Sequence, residues 1–498
     1  MNISVTLNPN PLVRYLQKPS ADFTKEDIIK YMEANEIRMI NFRYVAEDGR
    51  LKSLNFVASS REHLDAILSA GERVDGSSLF SFMEAGSSDL YVVPRYRTAF
   101  LNPFSEIPSI EILCSFYDHK GQALESAPEN ILRKAHQHFM SSTGMSMKFL
   151  GELEYYVNSE RQSNFPASDQ KGYHESEPFA KFEAMRKEAL KLIAQCGGQI
   201  KYGHAEVGTF TAGNEAYEQH EIEFLPTEPE FAADQLLVAK WVLRMLAEKL
   251  NVEISFAPKI TVGKAGSGLH FHMLVEKDGK NSMLGANGLS DVAKKVIAGI
   301  LDMADALTAF GNTIPTSYLR LVPHQEAPTN ICWGDRNRSA LVRVPLGWTG
   351  GVEKMIFDAN PGIEINPANT DSKQTVEFRA PDGSANIHLT IAGLIAAAEH
   401  GLNMTDSLDR AEKLYVNGNI FHQMPEGGLE QLPTSCYESA VRLESKRHLF
   451  ENNNVFPERV ITHTINKLKA FDDEKLSERL YGKNDQIREL VLQYIHCQ

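Results

Sequence analysis

At 498 residues the chain exceeds what one ordinary hydrophobic core organises, so two or more domains are expected. Lys plus Arg total 51 against 65 Asp plus Glu, and the net charge of -14 argues against a general binder of nucleic acid or anionic membranes. Cys114, Cys196, Cys332, Cys436 and Cys497 form no CxxC pair, and no apolar run reaches signal-peptide or membrane-span length, so a soluble protein of a reducing, cytoplasmic compartment is expected.

Thr24 and Asp27 have capping-box spacing ahead of a short helix, and Ser59 with Glu62 repeats it ahead of a second helix that Gly71 can close. Strand-like runs at 37–45, 51–58, 90–94 and 109–118 complete a small mixed sheet with helices packed on it. We place this first domain at 1–125, because turn chemistry at Ser126, Ala127 and Pro128 gives way to a helical pattern. Over 126–498, strand runs at 147–157, 199–208, 254–262, 268–276 and 375–380 alternate with apolar helical stretches at 231–250, 290–310 and 388–404. The fold class expected is α+β, with one large, mainly antiparallel sheet in the second domain. Residues 158–170 and 208–217 read as exposed excursions.

Residues two apart on a strand share a face, which gives three charged pairs with apolar neighbours behind them. Glu152 and Glu154 form a hard-cation ligand pair, His270 and His272 follow a Gly266-Ser267-Gly268 segment suited to close ligand approach, and Glu377 and Arg379 join a carboxylate to a guanidinium. Each pair alone describes a solvated strand face or surface ion pair equally well. With Glu206 and Glu221 in similar strand contexts, five carboxylates and a histidine would suit two Mg²⁺ or Mn²⁺ ions. Arg320, Arg336, Arg338 and Arg343 concentrate in one lysine-free run of an acidic chain, and such forks bind carboxylate or phosphate bidentately. No GxxxxGK[ST] loop, strand-linked GxGxxG or GxSxG elbow occurs, so phosphates would be held by metals and arginines.

The segments VDGSS (74–78), GELEYYV (151–157), HAEV (204–207), QHEI (219–222), GSGLHFHM (266–273), SYLRLVPHQEAP (317–328), RNRSALVR (336–343) and EFRAPDGSAN (377–386) occur in the same order in a known family. Over nearly its full length the chain resembles glutamine synthetase of the bacterial dodecameric type. The resemblance implies an N-terminal β-grasp domain and a C-terminal catalytic domain whose curved sheet takes ATP at one end and glutamate at the other. It implies ligation of ammonia to glutamate through a γ-glutamyl phosphate, in an obligate homo-oligomer with active sites shared between subunits. By motif, Glu154, Glu206 and Glu221 would hold one Mg²⁺ or Mn²⁺, and Glu152, His270 and Glu377 the other. His272, Arg338 and Arg343 would contact nucleotide and phosphoryl groups, with Gly266, Arg320 and Arg379 on glutamate. Asp75, Ser78, Tyr173, Glu206 and Glu326 would surround ammonium, with Asp75, Glu326 and Arg338 catalytic.

Four departures from the family pattern stand out. Ala265 replaces an asparagine before Gly266, Thr375 stands where an arginine is common, and Glu218 replaces a glycine before Gln219 in a lengthened span, which makes Glu223 an alternative to Glu221. Phe421 falls where some members carry a modifiable tyrosine. The altered residue at 265 keeps open a sister ligase joining glutamate to a polyamine or alkylamine. A non-catalytic descendant of the fold is the third reading.

Overall fold

The computed structural model describes residues 3–83, 86, 88–285, 288–322, 327–347, 352–362, 373–418 and 428–497; Glu326 and Phe421 lie outside them. In the N-terminal unit the Thr24 side chain accepts from Asp27 N, and the Asp27 carboxylate accepts from Thr24 N at 2.8 Å, a full capping box on the Lys25–Ala34 helix. The second cap falls one residue later than the sequence suggested. Ser60, the last extended residue, accepts from His63 N at 3.1 Å and starts the Arg61–Ala70 helix. Gly71 closes that helix at φ 70°, where a Cβ would meet the Val92 carbonyl oxygen at 2.2 Å.

The N-terminal sheet consists of β1 (Met39–Val45), β2 (Leu51–Val57), β3 (Glu72–Asp75), β4 (Asp89–Pro94), β5 (Phe100–Leu101) and β6 (Ser109–Tyr117). Its order is β2-β1-β6-β4-β3, with β5 on β6; β1 and β6 are parallel and the other pairs antiparallel.

The second sheet draws on β7 (Ser146–Glu160), β8 (Ile200–Ala212), β9 (Glu215–Phe224), β10 (Glu253–Ser255), β11 (Leu269–Lys277) and β12 (Lys280–Asn281). A separate two-stranded ribbon follows, β13 (Leu284–Gly285) and β14 (Gly288–Leu289), before the sheet resumes with β15 (Trp333–Asp335), β16 (Val342–Val344) and β17 (Val376–Phe378). The order is β15-β16-β17-β11-β7-β9-β8, antiparallel except for β15 with β16. Alternation makes the back of this sheet apolar: Phe149, Leu153, Tyr155, Ile222, Phe271 and Phe378 are buried in the main core. That core is completed by the Pro229–Leu250, Asp291–Gly311 and Ile387–Asn403 helices. Gly151 lets the first of these close on β7, since a Cβ there would lie 2.8 Å from the Leu236 side chain.

Two segments differ from expectation. Residues 208–217 are mostly a β-hairpin, because Phe210 and Tyr217 face each other across β8 and β9 and stack at 4.5 Å. Only its tip is exposed. The 254–262 run is a strand only as far as Ser255, with Pro258, which has no N–H to donate to a ladder, following soon after.

Among the described residues, no helix is long and apolar enough to cross a membrane, and all five cysteines are free and buried. The N-terminal unit is tied to the Pro229–Leu250 helix by a buried fork in which Arg95 donates to Asp234 at 2.6 and 2.9 Å. Burial pushes the Asp234 carboxyl up, but Arg95 and His388 more than offset this and lower it to about 2. A depressed folded-state value contributes stability above the ordinary carboxylate pKa and loses it as pH falls from there toward 2. Asp234→Ala, which strands a buried guanidinium, is expected to cost about 3–5 kcal/mol in guanidinium denaturation at pH 7. The variant's stability should also fall less steeply than wild type over that acid window.

Candidate active site

The register of the large sheet gathers its charged residues on the face opposite the core. His270 on β11 lies opposite Glu152 on β7, which lies opposite Glu223 on β9 and, beyond it, Tyr202 on β8. One step along, Glu154 lies opposite Glu221, and Glu221 opposite His204. On the other side His272 faces Glu377 on β17, and Glu377 faces Arg343 on β16. These residues line a cavity of about 710 Å³, together with Tyr173, Gly266, Arg320, Arg338, Lys373 and Arg379.

Three groups of side chains could each hold a cation. Ligand atoms of Glu152, His270 and Glu377 lie within 4.8 Å of one another, as do those of Glu152, Glu223 and His272, and those of His204, Glu206 and Glu221. Glu154 is instead bound to protein, accepting from Gly268 N at 2.7 Å and Gln219 Nε2 at 3.1 Å, with His270 Nε2 at 4.0 Å. Glu223 accepts from Lys201 at 2.5 Å. The donors fit a hard divalent cation, being carboxylate oxygens with few imidazoles. The electrostatics agree: burial and crowding by Glu152, Glu154, Glu206 and Glu223 push the Glu221 carboxyl well above its ordinary value, so ionising the set calls for added positive charge.

Basic side chains already balance the other end. Burial raises the Glu152 carboxyl, but His272 and His270 outweigh it and hold Glu152 well below the usual range. Glu377 is raised by burial and by Glu152, yet Arg379, His272 and His270 bring it down. Arg343 and Arg379 donate to its two oxygens at 2.9 and 3.0 Å. His272 is pushed down by burial, but Glu152, at 2.9 Å from Nε2, raises it. Thr375 supports that ring, with its hydroxyl 3.0 Å from His272 Nδ1.

Close packing fixes the substrate loop. Arg320 is buried, donating to the Ala380 carbonyl at 2.8 Å and lying 3.2 Å from His270 Nε2. A Cβ on Gly268 would meet His270 Nε2 at 2.5 Å and Arg320 Nη2 at 2.6 Å. Gln219 Nε2 also donates to the Gly266 carbonyl at 3.0 Å, and Tyr156 Oη donates to the Ala265 carbonyl at 2.9 Å. Tyr173 reaches the cavity on a segment that runs along the free edge of β8, where Gln170 N, Gly172 N and His174 N donate to the carbonyls of Thr209, Val207 and Ala205. This pairing follows a bulge between Ala205 and Thr209. Tyr173 stacks on His174 at 4.2 Å, and the Arg338 guanidinium sits 6.0 Å from its ring.

Asp75 and Ser78 do not line their own chain's cavity. Both are exposed on the Gly76–Ser78 turn, where Asp75 accepts from Ser78 Oγ at 2.6 Å and from Ser77 Oγ at 2.7 Å; these bonds hold its carboxyl low. Glu326 is outside the described residues, and Arg336 is exposed away from the cavity. Glu218 points to the back of β9, where its carboxylate accepts from Lys181 N and Phe182 N. His204, Gln219 and Lys201 are cavity residues that motif reading assigned no role. The first two were detectable, since each lies two positions before a singled-out glutamate on the same strand.

A carboxylate-lined floor with guanidinium walls has the donors to hold a cation beside an anion. Residues 36–119 match the glutamine synthetase beta-Grasp domain, and residues 125–480 match the glutamine synthetase catalytic domain. The chain belongs to the glutamine synthetase family and is a ligase. A glutamine synthetase of Clostridium saccharobutylicum is 29% identical over 431 residues, covering 84% of this chain and 89% of that one. One from Aquifex aeolicus is 28% identical over 486 residues, covering 91% and 96%. In three dimensions a Plasmodium falciparum glutamine synthetase matches with TM-score 0.73 at 20% identity, covering 91% of this chain and 97% of that one. A structure described as apo GmaS without ligand matches with TM-score 0.70 at 19% identity, covering 90% and 96%.

Gly268→Ala is expected to displace His270 and Arg320 together. Ligase turnover should fall by about 100-fold or more while the circular dichroism spectrum is kept.

Proposed function

We propose that the chain is a glutamine synthetase, joining ammonia to L-glutamate with ATP hydrolysed to ADP and phosphate. The observation that carries this reading is the single cavity in which seven glutamates, three histidines and four arginines converge. In this reading residues 1–125 form the β-grasp unit and 126–498 the catalytic unit, in a cytoplasmic homo-oligomer, by analogy a dodecamer.

Two Mg²⁺ or Mn²⁺ ions, when bound, would neutralise phosphate charge and polarise the transferred phosphoryl group. Glu152, His270 and Glu377 would hold one, and Glu154, Glu206 and Glu221 the other, with His204 or Glu223 as further donors. The fit rests on the donor chemistry and on the raised Glu221 carboxyl. His272 and Arg343 would orient the ATP phosphates, and Gly266, Arg320 and Arg379 would bind the glutamate, the two arginines gripping its carboxylates.

A glutamate side-chain oxygen attacks the γ-phosphorus, the bond to ADP breaks, and Arg338 with Arg343 stabilises the spread charge. The ammonia nitrogen then attacks the acyl carbon, phosphate leaves, and the extra proton passes to a carboxylate. Asp75, reaching a neighbouring subunit's cavity with Ser78, would deprotonate ammonium there beside Tyr173, Glu206 and Glu326. Glu326 would shield the acyl phosphate from water.

A second reading, transfer to a larger amine, is favoured by the rings of Tyr173, His204 and Tyr202 on the cavity wall. His174 lies between the first two, with ring centroids 4.2 Å from Tyr173 and 4.5 Å from His204, and Tyr202 is 5.8 Å from His204. Such rings suit an organic cation. With Mg²⁺, ATP and glutamate present, phosphate release is expected to rise far more on adding ammonium than on adding methylamine, ethanolamine or putrescine. A preference for any amine overturns the ammonia assignment. Asp75→Ala should lower ammonium use while leaving ATP affinity near wild type in equilibrium titration; equal loss of both would contradict the role given to Asp75.

A further inference from the structure

Away from the catalytic cleft, a second cavity of about 370 Å³ lies where the β1–β2 turn of the N-terminal unit meets the C-terminal helices. Its exposed lining is predominantly apolar, with Phe80, Phe82, Phe310, Leu389, Leu468 and Phe471, while Asn386, Lys467 and Gln493 add polar groups to the wall. Ser126, 2% exposed, also lines it, and its Oγ has no hydrogen-bond partner. The acids at the mouth are already engaged, Glu47 with His463 at 2.6 Å and Asp48 with Lys52 at 2.5 Å. Volume and lining fall in the range of small-molecule sites, about 300–1,000 Å³.

Arg50 and His496 lie on the walls of both this cavity and an adjoining groove that adds Lys240 and Arg244. Lys240 donates to the Gly383 carbonyl and Arg244 to the Cys497 carbonyl, and both sit over the Phe256 ring. Among the described residues none of Arg50, Lys240 and Arg244 is ion-paired with a carboxylate. The groove's own acids are Glu248 and Glu253, the latter 3.2 Å from His496. Burial and the neighbouring guanidiniums push the Lys240 ammonium down to about 8, although Cys497 and Asp382 oppose this.

An apolar cavity alone would accept any neutral hydrocarbon, and a cation cluster alone any small anion. Their adjacency selects a molecule that is both. We propose that this site binds a medium-chain fatty carboxylate, with its hydrocarbon chain in the cavity and its carboxylate on Arg50 and Arg244. Phe80 and Phe82 follow the Gly76–Ser78 turn in the chain, so the occupant would touch the segment that carries Asp75.

The test is calorimetric titration of the full-length protein, saturated with Mg²⁺ and ATP to fill the catalytic cleft, with decanoate, octanoate and acetate. Decanoate should bind with one site per chain, and more tightly than octanoate by on the order of 10-fold, since each buried methylene is worth about 4-fold. Acetate should give no saturable heat. Arg50→Glu, a change at an exposed position, should weaken decanoate binding at least ~10-fold, and Thr464→Trp should fill the cavity and block it. The proposal is overturned if decanoate does not saturate, if it binds no tighter than octanoate, or if Arg50→Glu binds it as wild type does.

Discussion

The rest of the molecule is arranged around one electrostatic problem, the gathering of several glutamates on a single face of a buried sheet. Removed from water, like charges at neighbouring register positions repel strongly, and Glu221 shows the result in its raised carboxyl. The chain answers at one end with its own basic side chains: His270, His272, Arg343 and Arg379 surround Glu152 and Glu377. At the other end the carboxylates around Glu221 outnumber their cationic partners. The sheet therefore carries a gradient from internally neutralised to cation-demanding, and the phosphoryl transfer we propose would use both kinds of surface side by side.

Holding such a gradient requires a stiff backing. The apolar side of each strand is packed on long buried helices, and Gly151 allows the closest approach of helix and strand. On the polar side the equivalent device is Gly268, which lets His270 and Arg320 meet over bare backbone. Thr375, where an arginine was anticipated from family pattern, removes one charge but supplies a hydroxyl that orients His272. Ala265 keeps its backbone anchored through Tyr156, so the loop position survives the loss of an amide side chain.

Period-two alternation made the facing pairs legible from the sequence, because a strand admits no other arrangement of Glu152 with Glu154 or His270 with His272. The Thr24–Asp27 cap and the three long apolar helices were legible from equally local patterns, while the second cap falls at Ser60, one residue past the expected Ser59. Register between strands was not, since it depends on pairings far apart in the chain. The grouping of Glu221 with His204, and of Glu223 with Glu152 and His272, emerges only when β11, β7, β9 and β8 are side by side. Nor did polarity reveal the 208–217 hairpin, where one stacked aromatic pair outweighs the glycines and acids around it.

The segment bearing Tyr173 has a significance beyond aiming one ring. β8 is the last strand of its sheet, and an open edge presents unpaired N–H and C=O groups on which another chain can build. By donating from Gln170, Gly172 and His174 along that edge, the segment occupies carbonyls that would otherwise be open to a foreign strand. A lesion that loosens this segment, such as a bulky residue at Gly172 where a Cβ would meet the Glu206 carbonyl oxygen at 2.5 Å, would therefore expose the protein to aggregation as well as disturb its chemistry.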